Sequence, residues 1–361
     1  MTFVPPVRDD LRGVVAYGAP QLEIPVRLNV NENPYPPSPA MVEAVAEAVA
    51  FAVEGINRYP ERDFMALRAA LGEYLEHETG VRIPAQRIFA ANGSNEVMHQ
   101  FFLAFGGPGR SALSFDPTYS MYPEYARDTF TNYVTIPRNA DFSINVEDAI
   151  HAMDVHKPNI VLITSPNNPT GTAVDLSTVE RLAAVAPGMV VVDEAYAEFR
   201  RPGTPSALEL LPRWPNLVVS RTMSKAFACA GLRLGYIAAQ NEAVIDAMRV
   251  VRLPYHLSAV TQAVALTALT FADELQANLQ ILREERDALV GWLRGRGFTV
   301  ADSDANFVLF GMFADRHAVW QGLLDQGVLI RETGPSGWLR VSIGTPQENA
   351  AFKSALDTVL S

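Results

Sequence analysis

Between about residues 60 and 240 the chain alternates two kinds of segment. Short runs apolar at nearly every position, at 87–91, 111–115, 133–136, 159–164, 189–193, 216–220 and 234–238, read as strands. Between them, 63–79, 94–105, 119–128, 145–153 and 177–185 carry apolar residues at helical spacing. A strand without a polar face must be covered on both sides, so this alternation predicts an α/β fold with a mainly parallel seven-stranded sheet between helices. Residues 1–37 show no such period, and Pro34, Pro36 and Pro37 mark them as an irregular arm. Ser38-Pro39 is a helix start, continued at helical spacing to about Val53. Near 242–258 the pattern changes: a helical run breaks at Pro254, and an alanine-rich helix and a charged helix at 272–296 follow. Strands near 306–310, 328–331 and 338–343, with helices near 316–326 and 346–360, predict a smaller α+β domain, the last helix opening on the cap Thr345-Pro346 with Glu348. The expected division is an arm at 1–37, a small domain of 38–58 and 246–361, and a large domain of 59–245.

Composition narrows the class. With 29 basic and 40 acidic residues the formal charge is −11, which argues against a nucleic-acid surface or a basic membrane anchor. One cysteine, Cys229, excludes an intrachain disulfide and suits a reducing, cytoplasmic setting; its apolar flanks read as a small buried hydrophobe. The start Met1-Thr-Phe-Val-Pro-Pro lacks the basic-then-apolar order of a secretory leader, and no run reaches the roughly 18 apolar residues of a membrane span.

Chemistry gathers where three apolar strands end. The strand at 159–164 runs into Pro166-Asn-Asn-Pro-Thr-Gly, the strand at 189–193 ends in Asp193 with Tyr196 beyond it, and the strand at 216–220 leads to Lys225. In open parallel sheets ligands bind beyond the carboxyl ends of the strands. An amine for a Schiff base, a carboxylate for a ring nitrogen and the Asn168 and Tyr196 side chains for a phenolate oxygen together suit pyridoxal 5′-phosphate. Taken alone, Asp193 also fits a helix-capping acid, the lesser of its two readings, and Asn168 a turn. Arg233, Thr222 and Ser224 suit the phosphate, as does the helix start Gly93-Ser94-Asn95, where backbone amides form an anion site and glycine permits close approach. Tyr119, after Asp116-Pro117, is placed to lie against the cofactor ring. Arg331 and Arg340 interrupt apolar strand patterns and must be paired or liganded, either by a substrate anion or by Glu332 or Asp304. No phosphate-loop or dinucleotide glycine motif, no metal-ligand spacing of histidines and no Gly-x-Ser-x-Gly is present.

Ten segments carry a family resemblance: Leu28-Asn-Val-Asn-Glu-Asn-Pro-Tyr35, Asn57-Arg-Tyr-Pro, Ala91-Asn-Gly-Ser-Asn-Glu, Pro117-Thr-Tyr-Ser-Met-Tyr, Ser165-Pro-Asn-Asn-Pro-Thr-Gly, Asp193-Glu-Ala-Tyr, Arg221-Thr-Met-Ser-Lys-Ala-Phe, Ala230-Gly-Leu-Arg-Leu-Gly, Gly327-Val-Leu-Ile-Arg and Leu339-Arg-Val-Ser-Ile-Gly. In this order they cover nearly the whole chain, which resembles fold-type-I pyridoxal-phosphate aminotransferases and, within them, the histidinol-phosphate aminotransferases. The resemblance implies transamination of L-histidinol phosphate with 2-oxoglutarate, in histidine biosynthesis. It makes Lys225, Asp193 and Tyr196 the catalytic set. Gly93, Ser94, Asn95, Tyr119, Asn168, Thr222, Ser224 and Arg233 would join Asp193, Tyr196 and Lys225 around the cofactor. A homodimer with shared sites is implied, Tyr59 reaching the partner's cofactor phosphate and Tyr35 the partner's substrate beside Arg331, Arg340 and Asn168. Tyr17, Tyr122 and Tyr255 are candidates for the wall around the imidazole, and the Asn168–Pro169 bond is expected to be cis. Aromatic amino-acid aminotransferases share these motifs, and threonine-phosphate decarboxylases resemble the same subgroup, so both remain alternatives on sequence alone.

Overall fold

The all-apolar runs become the centre of a sheet, where strands are buried on both faces and alternation is unnecessary. The structure, a computed structural model, describes Phe3 and residues 5–361, with only the backbone of Leu275 and Gln276; Met1, Thr2 and Val4 of the expected arm lie outside the described residues. In chain order, β1 (Val26–Arg27), α1 (Pro39–Glu54) and α2 (Met65–Thr79) precede β2 (Ile88–Ala91), α3 (Ser94–Phe105), β3 (Ser111–Asp116), α4 (Tyr122–Asp128) and β4 (Asn132–Pro137). Then come α5 (Val146–His156), β5 (Ile160–Thr164), α6 (Leu176–Val185), β6 (Met189–Asp193), β7 (Leu217–Thr222) and β8 (Gly235–Ala239). After α7 (Glu242–Val251), α8 (Ala259–Leu269) and α9 (Ala272–Gly295) follow β9 (Thr299–Val300), β10 (Phe307–Gly311), α10 (Arg316–Asp325), β11 (Val328–Leu329), β12 (Trp338–Ser342) and α11 (Pro346–Leu360).

The seven expected strands form one seven-stranded sheet in the order β2-β8-β7-β6-β5-β3-β4. The pairs β3–β4, β3–β5, β5–β6 and β6–β7 are parallel, and only β8 runs against its neighbours. Strands β5, β6 and β7 are buried along almost their whole length, as their composition requires. The parallel register sets Thr164 beside Asp193, and Asp193 beside Ser220. These carboxyl ends open onto one cavity.

The smaller unit has the antiparallel sheet β12-β10-β9 and the parallel pair β1–β11. Strands β1 and β9 escape sequence pattern because two residues carry no period. The arm is therefore not irregular throughout: Val26 and Arg27 pair with β11, and Leu28, Asn29 and Asn31 are buried. The end of β11 also differs from expectation. Arg331 leaves the strand and makes an isolated antiparallel bridge to Arg340, so the backbones of these two arginines hold each other.

Packing divides the chain differently from the sequence reading. Met41 of α1, Val244, Ile245 and Met248 of α7, and Ala265 and Ala268 of α8 join the core of the large sheet, rather than a small domain of 38–58 and 246–361. The cause is local: alanines on α8 let α1 and α2 pack closely on it, tying α1 to the large sheet. From Leu279 of α9 onward most buried residues join β10, β12 and α11 in a second core, which Leu28, Tyr196, Phe199 and Ala226 also enter. Among the described residues no helix is long and apolar enough to cross a membrane.

Candidate active site

A cavity of ≈ 260 Å³ lies beyond the carboxyl ends of β5, β6 and β7, closed on its other side by Asn29, Val30, Asn31 and Arg340. Lys225 follows β7 in the tight turn Met223–Leu232, and its Nζ enters the cavity, donating to the Val30 carbonyl at 2.8 Å. Burial, then the nearby Arg340 and lastly Arg233 pull its pKa down to about 8, with Glu32 opposing. A lysine whose pKa is drawn down towards neutral pH gives up its proton more readily, which suits it to act as a nucleophile.

Asp193, at the end of β6, is buried. Burial pushes its pKa up, while the hydroxyls of Ser220 (2.8 Å) and Tyr122 (2.9 Å) and the Ala195 N–H pull it down. Among the described residues no cation pairs with it, so its charged form has room for a protonated ring nitrogen. Tyr196 and Asn168 stand together at the next corner: the Asn168 amide is 3.4 Å from the Tyr196 hydroxyl, which also accepts from Asn31 at 3.1 Å. The Asn168–Pro169 bond is cis.

Two turns build a cradle suited to an anion. Gly93 has φ +88°, and a Cβ there would come within 2.5 Å of an Arg233 guanidinium nitrogen. Gly235 lets β8 approach the start of α3, where a Cβ would collide with the Ser94 backbone nitrogen. Ser94 and Asn95 begin α3, aiming backbone amides at the cavity. Arg233 donates to Ser224 Oγ at 3.3 Å, and the Ser224 N–H donates to Thr222 Oγ1 at 3.2 Å. Tyr119 hangs over the cavity, its hydroxyl donating to Asn95 Oδ1 at 3.1 Å. The donor set of pyridoxal phosphate is thus complete in one place: an amine, a buried carboxylate, a phenol with an amide, and an anion cradle that only glycine permits.

Arg340 is buried, donating to Asn168 Oδ1 at 2.5 Å and to the Asn29 carbonyl at 2.8 Å, and burial pulls its pKa down to about 10. Arg331 lies at the rim, near the Gly18 carbonyl. The two acids that sequence offered as partners are engaged elsewhere: Glu332 with Arg316 and His317, Asp304 with Arg201. Among the described residues neither arginine has a carboxylate within ion-pair distance, and both face the cavity.

Tyr17 also lines this cavity, its hydroxyl accepting from Ser120 at 3.2 Å. Tyr122 does not: it is fully buried behind Asp193, which corrects its placement in the imidazole wall. Tyr59, Tyr255 and Tyr35 lie outside their own chain's cavity. Tyr59 is 79% exposed and stacks on Tyr255 with ring centroids 4.5 Å apart, and Tyr35 packs against the small-domain core.

Sequence reasoning missed a buried ion cluster behind the site. Arg221 meets Glu194 at 2.7 Å, Glu78 at 3.1 Å and Glu198 at 3.2 Å, with side-chain exposure of 1%. The rule that singled out Arg331 and Arg340, a charge inside an apolar strand, applies equally to Arg221 in Leu217-Val-Val-Ser-Arg. Asn31, Ser220 and Thr164 were missed because nothing local marks a polar residue that acts through another.

A model of the aminotransferase class I and II family matches residues 23–356. The chain is 63% identical to a histidinol-phosphate aminotransferase of Thermobifida fusca over 353 residues, 98% of this chain and 95% of that one. It is 59% identical to histidinol-phosphate aminotransferase 3 of Burkholderia lata, covering 99% and 96%. The solved histidinol-phosphate aminotransferase of Sinorhizobium meliloti, in complex with pyridoxal-5′-phosphate, shares the fold with a TM-score of 0.82 at 23% identity, covering 93% of this chain and 91% of that one. Matched over nearly its full length, the chain belongs to the class I and II aminotransferases.

Proposed function

We propose that this protein is a pyridoxal-phosphate-dependent transaminase that converts L-histidinol phosphate and 2-oxoglutarate into imidazole acetol phosphate and L-glutamate, a step of histidine biosynthesis. One observation carries the reading: the cavity that joins Lys225 to Asp193 also holds two arginines that have no carboxylate partner among the described residues, in a chain 63% identical to a histidinol-phosphate aminotransferase. Either guanidinium matches a phosphate monoester or a carboxylate, so one pocket serves both half-reactions.

In this reading Lys225 holds the cofactor covalently and its Nζ moves the proton at the substrate's amine-bearing carbon. When bound, pyridoxal phosphate supplies the electron sink for the pair that this proton leaves behind. Asp193 holds the ring nitrogen and keeps it charged. Tyr196 and Asn168 hold the phenolate oxygen, Tyr119 covers the ring, and Gly93, Ser94, Asn95, Thr222, Ser224 and Arg233 hold the phosphate. Arg340 and Arg331 take the substrate anions, with Tyr17 beside them. A substrate panel with 2-oxoglutarate as acceptor tests this: kcat/KM for L-histidinol phosphate should exceed that for phenylalanine by about tenfold or more, since a phosphate monoester brings more negative charge and more acceptor oxygens to the arginines than a carboxylate does. Equal values would overturn the substrate assignment.

The working form we propose is a cytoplasmic homodimer. Exposed apolar residues concentrate at Val42, Phe51, Ile56 and Tyr59 and again at Val250, Leu253 and Tyr255, and the Tyr59–Tyr255 stack joins the two segments. Tyr59 then completes the partner's phosphate cradle, and Tyr35 and Tyr255 approach the partner's substrate. Mixing Lys225→Ala subunits with Tyr59→Ala subunits at limiting cofactor should restore about a quarter of wild-type activity, because half of randomly assembled dimers carry one intact site. No gain over the separate variants would place Tyr59 in its own subunit's site.

A further inference from the structure

We infer that Tyr122 is a positioning residue for the cofactor's ring nitrogen, acting through Asp193: its hydroxyl, oriented by Thr164, donates to the carboxylate and keeps that group charged at working pH. The inference rests on the reading of the cavity as a pyridoxal-phosphate site.

The sheet register places the parts. Thr164, Asp193 and Ser220 are direct neighbours across β5, β6 and β7. Ser220 Oγ donates to one carboxylate oxygen at 2.8 Å, and the Tyr122 hydroxyl, reaching in from α4, donates to the other at 2.9 Å. A phenol has a single proton. With that proton on Asp193, the 2.8 Å contact between Tyr122 and Thr164 leaves Thr164 as donor, and the 3.1 Å contact between Thr118 and Thr164 leaves Thr118 as donor in turn. The hydroxyls therefore form a directed chain, Thr118 to Thr164 to Tyr122 to Asp193, running from the cavity rim to the acid. The direction is forced at its end, because an ionised carboxylate only accepts.

None of the other titratable groups facing Asp193 takes over this role. Tyr119 and Tyr125 approach from the α4 side, but their hydroxyls are committed to Asn95. The Tyr196 hydroxyl accepts from Asn31 and Asn168, and Glu194 opposes ionisation of its neighbour. The charge on Asp193 thus rests on two side-chain hydroxyls and one backbone N–H. Each donor makes the carboxylate less basic, so a proton shared with the ring nitrogen stays on the nitrogen. The Tyr122 ring also stands edge-on to Tyr119, at 5.6 Å and 89°, and phenylalanine would keep that contact.

The test is the affinity of the apoprotein for pyridoxal phosphate as a function of pH, by equilibrium dialysis of wild type and Tyr122→Phe. Loss of one donor raises the proton affinity of Asp193. Cofactor binding, which needs the carboxylate, should then show an acid limb moved up by about one pH unit, so that it weakens by up to about tenfold on that limb and converges on wild type at the alkaline end. The cofactor phosphate titrates in both experiments alike. In steady state kcat should fall while KM for 2-oxoglutarate stays within about twofold. A binding profile superimposable on wild type, or one weakened equally at every pH, would overturn the inference by reducing Tyr122 to packing. Should Tyr122→Phe fail to fold, Thr164→Val decides: the limb should shift in the same direction by less, and an unmoved limb refutes the relay. Wild-type protein that binds no cofactor would sink the functional reading instead.

Discussion

Replacing Lys225 with alanine should lower kcat by at least about 10⁴-fold while the protein still folds and still binds pyridoxal phosphate weakly. Two losses combine: the covalent anchor and the proton carrier, the latter alone accounting for about 10²- to 10⁴-fold in comparable enzymes. Borohydride reduction followed by mass spectrometry gives the direct readout. Wild type should carry the cofactor mass on the peptide containing Lys225, and Lys225→Ala should carry none. A second check comes from stability. The Lys225 pKa is pulled from the usual 10.5 down to about 8 by burial in the folded chain. Between those values the unfolded chain binds the extra proton, so the apoprotein gains stability as pH rises from about 8 towards 10.5, and the burial penalty is fully present below 8. Urea denaturation of the apoproteins should therefore show the wild type gaining on Lys225→Ala across that window. A difference independent of pH, or full activity in the variant, would remove Lys225 from the centre of the mechanism.

What the sequence disclosed of this site follows from how local each signal is. Lys225, Asp193 and Asn168 were legible because each ends or follows an all-apolar strand, and parallel strands deliver their carboxyl ends to one edge. Arg331 and Arg340 were legible as charges inside strand patterns, and only three dimensions showed that Glu332 and Asp304 are occupied by other partners. Tyr122 was read as a pocket wall because a tyrosine three residues after Tyr119 gives no hint of which way it points. The first turn after β3 takes up 117–121, so α4 begins at Tyr122 and turns its ring inward. The role of Asn29–Asn31 was invisible for a different reason. A two-residue strand, β1, fixes them against β11, and two residues have no periodicity to detect. The core that α1 and α8 join is illegible for a similar reason, since an alanine-rich helix does not announce which of two cores it packs on.

Replacing Arg340 with glutamine should reduce kcat/KM by about 10²- to 10³-fold in both half-reactions, the equivalent of losing two charge-assisted hydrogen bonds. The argument begins with its depth. Arg340 is 6% exposed, locked to Asn168 and Asn29, and lies with its guanidinium carbon 5.1 Å from the centre of the Phe307 ring. Its pKa of about 10 keeps it charged across the neutral range. Through Asn168 it sits beside the amine chemistry, so it meets whatever anion is borne nearest the reacting carbon. In L-glutamate that is the carboxylate on the carbon itself, and in L-histidinol phosphate it is the phosphate ester one methylene away. Arg331, at the rim and held by its backbone bridge and a long contact to Gly18, is left for the more distant anion. Arg340→Lys, which keeps the charge and loses the planar fork, should fall between wild type and Arg340→Gln. Single-turnover measurements from each side, with L-histidinol phosphate and separately with 2-oxoglutarate, separate the alternatives. A loss in both half-reactions places the two anions on one guanidinium. A loss confined to the 2-oxoglutarate side would move the phosphate to Arg331, and the pocket would then select its substrates by two anion sites instead of one.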